Sequence, residues 1–236
     1  MALYSYVKIR STVKRRIAEI LSVIFIFSGI SLLSWVLFPI ISFELYYAPK
    51  FNNLIKPIPA EIIKNTITNS LPAVLGVENA DYTKASVWFP KAQNLKLAST
   101  NTSYTLSIPK LGIEKANVLV GGEDLSKSLI HFTGPLPGNF GNPVIFGHST
   151  LLWFYNPKDY KSIFSKLPEL DINDEILVDV DNVTYKYQVY EMKVVSPDNL
   201  SVLEQNYDNA YITLVTCVPP GTYFRRLIVR GKLVTI

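Results

Sequence analysis

The 236 residues carry 23 Lys and Arg against 19 Asp and Glu, a single cysteine, and 48% aliphatic or aromatic side chains, enough for a sizeable core. A pI near 9.0 would suit a nucleic-acid binder. Yet five basic residues (Lys8, Arg10, Lys14, Arg15, Arg16) and one acid (Glu19) fall within positions 1–41, which leaves eighteen of each sign over 42–236 and excludes a basic groove.

The N-terminal charges belong to a membrane pattern. Residues 1–16 form a basic segment, and from Ile20 to Ile41 there are 22 residues without a charge. At about 1.5 Å per residue such a helix is roughly 33 Å long, the thickness of a bilayer core. Trp35, Tyr46 and Tyr47 stand where an interfacial aromatic belt lies. Basic residues before the span and none just after it predict a cytoplasmic N-terminus and an extracytoplasmic body. A cleaved signal peptide has a shorter apolar region and ends at a small-residue site. Here the run ends Pro39-Ile40-Ile41-Ser42-Phe43-Glu44, so the expectation is an uncleaved anchor over 17–41 in a single-pass membrane protein.

Residues 42–100 are rich in Asn, Lys and Pro and read as an extracytoplasmic stalk or N-terminal extension with a few anchoring apolar residues. Residues 59–64 open on a proline that suits the first turn of a short helix. From about Ser103 the texture changes to short β-branched and aromatic runs separated by Gly, Pro, Asn and Asp. Strands are predicted at 104–108, 116–120, 144–146, 175–180, 183–195, 210–217 and 226–236. Asp181-Asn182 marks a hairpin, and one or two helical turns are expected at 160–167. The expectation is an all-β barrel or sandwich over 101–236.

Cys217 ends the apolar strand from Tyr211, a Pro219-Pro220-Gly221 turn follows, and the next strand opens on Arg225-Arg226. A nearby cation favours thiolate over thiol, and the thiolate is the nucleophile. Outside the cell, a solitary cysteine is either unpaired and reactive or joined to another chain. Two histidines are available as its partner. His148 follows the run Val144-Ile145-Phe146 and a glycine, at a strand exit where a side chain can face a groove; His131 precedes a turn-rich stretch. In such a set the cysteine attacks a carbonyl carbon, the histidine protonates the leaving amine, and an arginine donates hydrogen bonds to the oxyanion. Papain-like enzymes place the cysteine before the histidine, the reverse of the order here.

The string Thr213-Leu214-Val215-Thr216-Cys217 resembles the TLxTC signature of sortases, membrane-anchored cysteine transpeptidases of mainly Gram-positive bacteria. The likeness continues through Pro219, Gly221 and Arg226-Leu227-Ile228-Val229-Arg230-Gly231. Upstream, Gly134-Pro135-Leu136-Pro137-Gly138 through Gly147-His148 is similar to the family's histidine block, and Ser107-Ile108-Pro109-Lys110-Leu111-Gly112-Ile113 to the opening of its catalytic domain. The resemblance implies a closed barrel of about eight strands with short helices, and a catalytic set of Cys217, His148 and Arg226. Neighbouring strand residues face opposite sides, so only one of Arg225 and Arg226 can serve, and the strand match favours Arg226. Thr216 and Arg230 are candidate substrate contacts, and His131 is read as structural.

The resemblance further implies cleavage of an LPxTG-like sorting motif on exported proteins, a thioester at Cys217, and transfer to an amine from a cell-wall precursor or a pilin, with no cofactor. The segment around Cys217 is most similar to the pilin-polymerising type. The Asp-Pro-aromatic lid often found in that type is not recognised, Trp88-Phe89-Pro90 being only a faint echo. Glu169, Asp171, Asp174 and Glu175 are a candidate calcium site that reads better as a solvated acidic turn. The alternative function is a non-catalytic, membrane-anchored barrel that binds exported peptides.

Overall fold

The computed structural model describes residues 12–51, 81–89, 91–92 and 102–234; the short helix expected at 59–64 lies outside them. The chain divides into two units, 1–42 and 43–236.

In the first unit, α1 (Thr12–Ser42) carries its charges before Ile20 and is apolar on every face from there on, with Pro39 in its last turns. An amphipathic helix would show one apolar stripe; one that is apolar all round needs a non-aqueous setting. The apolar helical stretch is long enough to cross a membrane.

In the second unit, eight strands form a closed barrel: β1 (Ser103–Ile108), β2 (Ile113–Val120), β3 (Leu129–Thr133), β4 (Val144–Phe146), β5 (Glu175–Val180), β6 (Val183–Val195), β7 (Tyr211–Val218) and β8 (Arg225–Leu233). Around the ring the order is β1-β2-β3-β4-β7-β8-β6-β5, and β5 pairs back onto β1. The pairings β2–β3 and β4–β7 are parallel and the others antiparallel. Alternation along the strands fills the interior: Tyr104, Leu106 and Ile108 from β1 meet Ile176, Val178 and Val180 from β5.

A second core lies on the outer face of β3, β4, β7 and β8. It gathers Ile130, Phe132, Val144, Phe146, Val215, Cys217 and Ile228 under Val202 and Leu203 and under Ala85, Trp88 and Phe89. β3 was not among the expected strands. It is buried on both faces, so it lacks the polar-out alternation that marks a strand, and its central residue is a histidine. The turns at 160–167 are irregular, followed by a single 3₁₀ turn at Leu167–Glu169. Asp181 and Asn182 sit at φ +49° and +65°, the left-handed pair of a two-residue hairpin.

Two stretches of the expected extension are anchored in these cores. Residues Phe43–Tyr47 make a turn of wide helix and α2 (Ala48–Phe51) adds one more turn. Phe43 and Phe51 join the barrel core, Glu44 pairs with Arg225 at 3.3 Å, and Lys50 pairs with Asp171 at 2.7 Å. The second stretch is 81–89 with 91–92.

Candidate active site

β7 runs between β4 and β8, and the register of those two pairings builds a row. Cys217 lies directly opposite Arg226 in the antiparallel β7–β8 ladder. On the other side, Phe146 is in parallel register with Val215, and the Gly147 N–H extends the ladder to the Val215 carbonyl at 3.1 Å. Two residues beyond each, His148 comes level with Cys217. Neighbouring strands are about 4.8 Å apart, so imidazole, sulfur and guanidinium occupy one row across three adjacent strands. All three are buried, at 8%, 1% and 1% exposure.

Side chains lock the β4–β7 seam where its backbone ladder ends. The Thr216 hydroxyl donates to the Gly147 carbonyl at 2.8 Å, and the Ser149 hydroxyl donates to the Cys217 carbonyl at 2.6 Å. His148 is thus held on both sides to the strand that carries the cysteine. Thr216, a candidate substrate contact, commits its hydroxyl to this seam and is fully buried. Ser149 was not singled out from the sequence.

Residues 81–89 cover the row. The Trp88 ring lies 5.7 Å from the His148 ring, stacks on Phe146 at 5.4 Å, and has the Arg226 guanidinium 5.4 Å from its centroid. Arg226 donates to the carbonyls of Tyr223 at 3.0 Å, Arg225 at 3.3 Å and Trp88 at 3.3 Å, while its buried Nε has no partner. Tyr82 stacks on Tyr223 at 4.0 Å, and the Trp88 indole N–H donates to the Tyr82 carbonyl at 2.9 Å. Ala85 and Leu125 exchange backbone bonds with Glu123 and Thr83, which ties the segment to the β2–β3 loop. The Trp88-Phe89 pair, only a faint echo of a lid in the sequence, is therefore a cover over the site. Its sequence signal was two adjacent bulky aromatics in a stretch otherwise rich in polar residues.

Burial sets the protonation of the covered pair. It pushes the Cys217 thiol up to about 11, against the smaller opposing pull of Arg226. Burial also lowers His148, although Asp124 and Asp81 draw it the other way. Covered, the pair is thiol and neutral imidazole; water or a polar substrate at the row reverses both shifts.

The remaining candidates separate from this row. Arg230 shares the outer face with Arg226 but stands four residues along β8, about 13 Å away at strand rise. It pairs with Glu191 at 3.1 Å and lines a separate cavity of about 450 Å³ with Tyr190, Tyr211, Asn142 and Gln205. Arg225 points to solvent and pairs with Glu44. His131 is fully buried, with the Tyr104 hydroxyl at 3.1 Å from Nδ1 and the Thr133 and Gly134 carbonyls at 3.0 and 3.2 Å from Nε2. Asp171 is engaged by Lys50 and Lys110, and Asp174 by Lys110.

The Sortase domain model matches residues 106–234, more than half of the chain and all eight strands but the first residues of β1. The chain belongs to the sortase family. It is similar to a Sortase D of Bacillus subtilis, 25% identical over 147 residues that cover 60% of this chain and 69% of that one. It is also similar to a Sortase A of Listeria monocytogenes, 28% identical over 123 residues, 52% of this chain and 48% of that protein. Among solved structures, a Clostridium perfringens Sortase D5 transpeptidase is 27% identical with a TM-score of 0.50, covering 61% of this chain and 86% of that one. A pilus-related Sortase C of Group B Streptococcus is 27% identical at a TM-score of 0.51, covering 76% and 93%. Sortases are transpeptidases, and the barrel here is the sortase barrel.

Proposed function

We propose that this sortase is a membrane-anchored cysteine transpeptidase in which Cys217 is the nucleophile, His148 the acid–base partner and Arg226 the oxyanion donor. The observation that carries the reading is the His148–Cys217–Arg226 row across the exit of β4, β7 and β8. α1 anchors the chain with its N-terminus cytoplasmic, and the barrel works on the outer side of the membrane.

The substrate is an LPxTG-like sorting motif on an exported protein. The Cys217 thiolate attacks the scissile carbonyl carbon, and the oxyanion is met by the guanidinium of Arg226, whose Nε is free to donate. The C–N bond breaks, His148 as imidazolium gives its proton to the leaving amine, and a thioester remains. An acceptor amine, from a cell-wall precursor or a pilin, attacks the thioester. Its proton passes to His148, the C–S bond breaks, and a new amide leaves. The sequence of steps needs no cofactor. Because Cys217 is 1% exposed, residues 81–89 must withdraw from the row before a peptide enters.

Incubation with an LPxTG-type peptide and a nucleophilic amine gives the transpeptidated product by mass, and Cys217→Ala abolishes it while leaving the fold intact. Turnover by that variant would overturn the assignment. Peptide binding with no acyl-enzyme across a panel of motifs would favour the non-catalytic binder.

A further inference from the structure

Seven of the twelve large apolar side chains exposed on the described part of the barrel unit come from three short segments: Leu45 and Tyr46, the Leu152–Phe154 turn, and Tyr223 with Phe224. Their exposures run from 42% to 79%. The segments are neighbours. Glu44 is paired with Arg225, the residue after Phe224. A Cβ on Gly221 would lie 2.8 Å from Leu151, which sets the 219–224 loop against the 151–154 turn. The Tyr155 hydroxyl reaches the Leu111 carbonyl at 2.6 Å, and Tyr47 and Tyr155 both feel the charge of Glu169.

Two of these loops, 150–157 and 218–224, contain no charged residue. Solvent-facing loops without a charge and with aromatic tips are unusual in water; Trp, Tyr and Phe of this kind suit the boundary between headgroups and acyl chains. Lys158 and Lys161, with Asp159 between them, follow the first loop at the surface.

We propose that this end of the barrel docks on the lipid bilayer, with Trp153, Phe154 and Phe224 entering the interface. Continuity of the chain selects a bilayer as the occupant: Phe43, the first residue of the barrel unit, directly follows α1, and Leu45 and Tyr46 come within four residues of its end. The docking goes beyond the anchoring proposed above and rests on α1 lying in the same membrane. Cys217 and His148 stand at the roots of the two uncharged loops, so docking brings the row close to the membrane surface. A peptide or acceptor held at the bilayer then meets the row along the membrane plane.

The test uses the full chain in liposomes, with Cys217→Ala to free the background of thiols and single environment-sensitive fluorophores at F154C, F224C, V183C and W35C. Val183 is exposed at the far end of β6 from Val195, which pairs with Arg226, and so reports the opposite end of the barrel. The expected result is emission shifted to shorter wavelength, and severalfold stronger quenching by nitroxide-bearing lipids, for F154C and F224C relative to V183C. Equal, water-like signals at all three barrel positions would overturn the docking. So would shifted emission without lipid quenching, which would instead mean contact with protein. The W35C variant separates the two readings: quenching there with none at F154C and F224C leaves the anchor standing and removes the docking. Absence of quenching at W35C removes the anchor reading itself.

Discussion

Cys217 owes its state to burial. It shares the outer core with Trp88, and desolvation is the larger influence on the thiol. Replacing Trp88 by alanine therefore lowers the thiol from about 11 toward its ordinary value. Each unit of that fall multiplies the thiolate present at neutral pH by about ten. Alkylation of W88A by iodoacetamide is expected to be at least an order of magnitude faster than in the parent; an unchanged rate would mean that other groups shield the sulfur. The same change removes a fully buried ring, about 3–5 kcal/mol in a core, so a thermal melt should accompany the kinetics. W88F, which keeps most of the cover, should fall between the two.

The β4–β7 seam is the element on which the site depends. It is short, with three paired residues in β4, and Gly147 continues it at a place with no room for a side chain. A Cβ there would lie 2.4 Å from the Phe164 ring and 2.6 Å from Leu129. Gly147→Ala should shift the strand exit and misplace His148, with a loss of about 1–3 kcal/mol in stability and a larger proportional loss in kcat/KM. Activity retained at the parent level would show that the exit tolerates displacement.

Elements with clear punctuation were legible in the sequence: β5 and β6 around Asp181-Asn182, and β7 and β8 around Pro219-Pro220-Gly221. Cys217, His148 and Arg226 were candidates because each sits near a strand boundary and within a stretch that resembles the family's motifs. β3 was hidden because burial on both faces erased its alternation. The seam bond of Thr216 was hidden because a β-branched strand residue gives no local sign of which face its hydroxyl serves. The cover formed by residues 81–89 was hidden because its partners, Phe146, His148, Tyr223 and Arg226, lie far along the chain.

At the scale of the whole molecule, His131 links stability to pH. Burial lowers its imidazole to about 4, while the unfolded chain titrates near 6.5, so the folded barrel favours the neutral ring. Stability is fully present above pH 6.5 and falls as pH drops toward 4, because only the unfolded chain takes up the proton. The loss amounts to about 3 kcal/mol. Melting temperature should decline across that window. His131→Gln should start lower at pH 7, having lost the Tyr104 contact, yet decline less; an equally steep decline would assign the effect to other groups.

Ring closure has a consequence for how an extended polypeptide is held. Every strand already has a partner on both sides over part of its length, β7 included, so a visiting chain finds few vacant N–H and C=O groups with which to extend the sheet. Recognition of such a chain falls mainly to its side chains. A barrel with no long open edge is thereby spared from being templated into aggregates by unfolded segments.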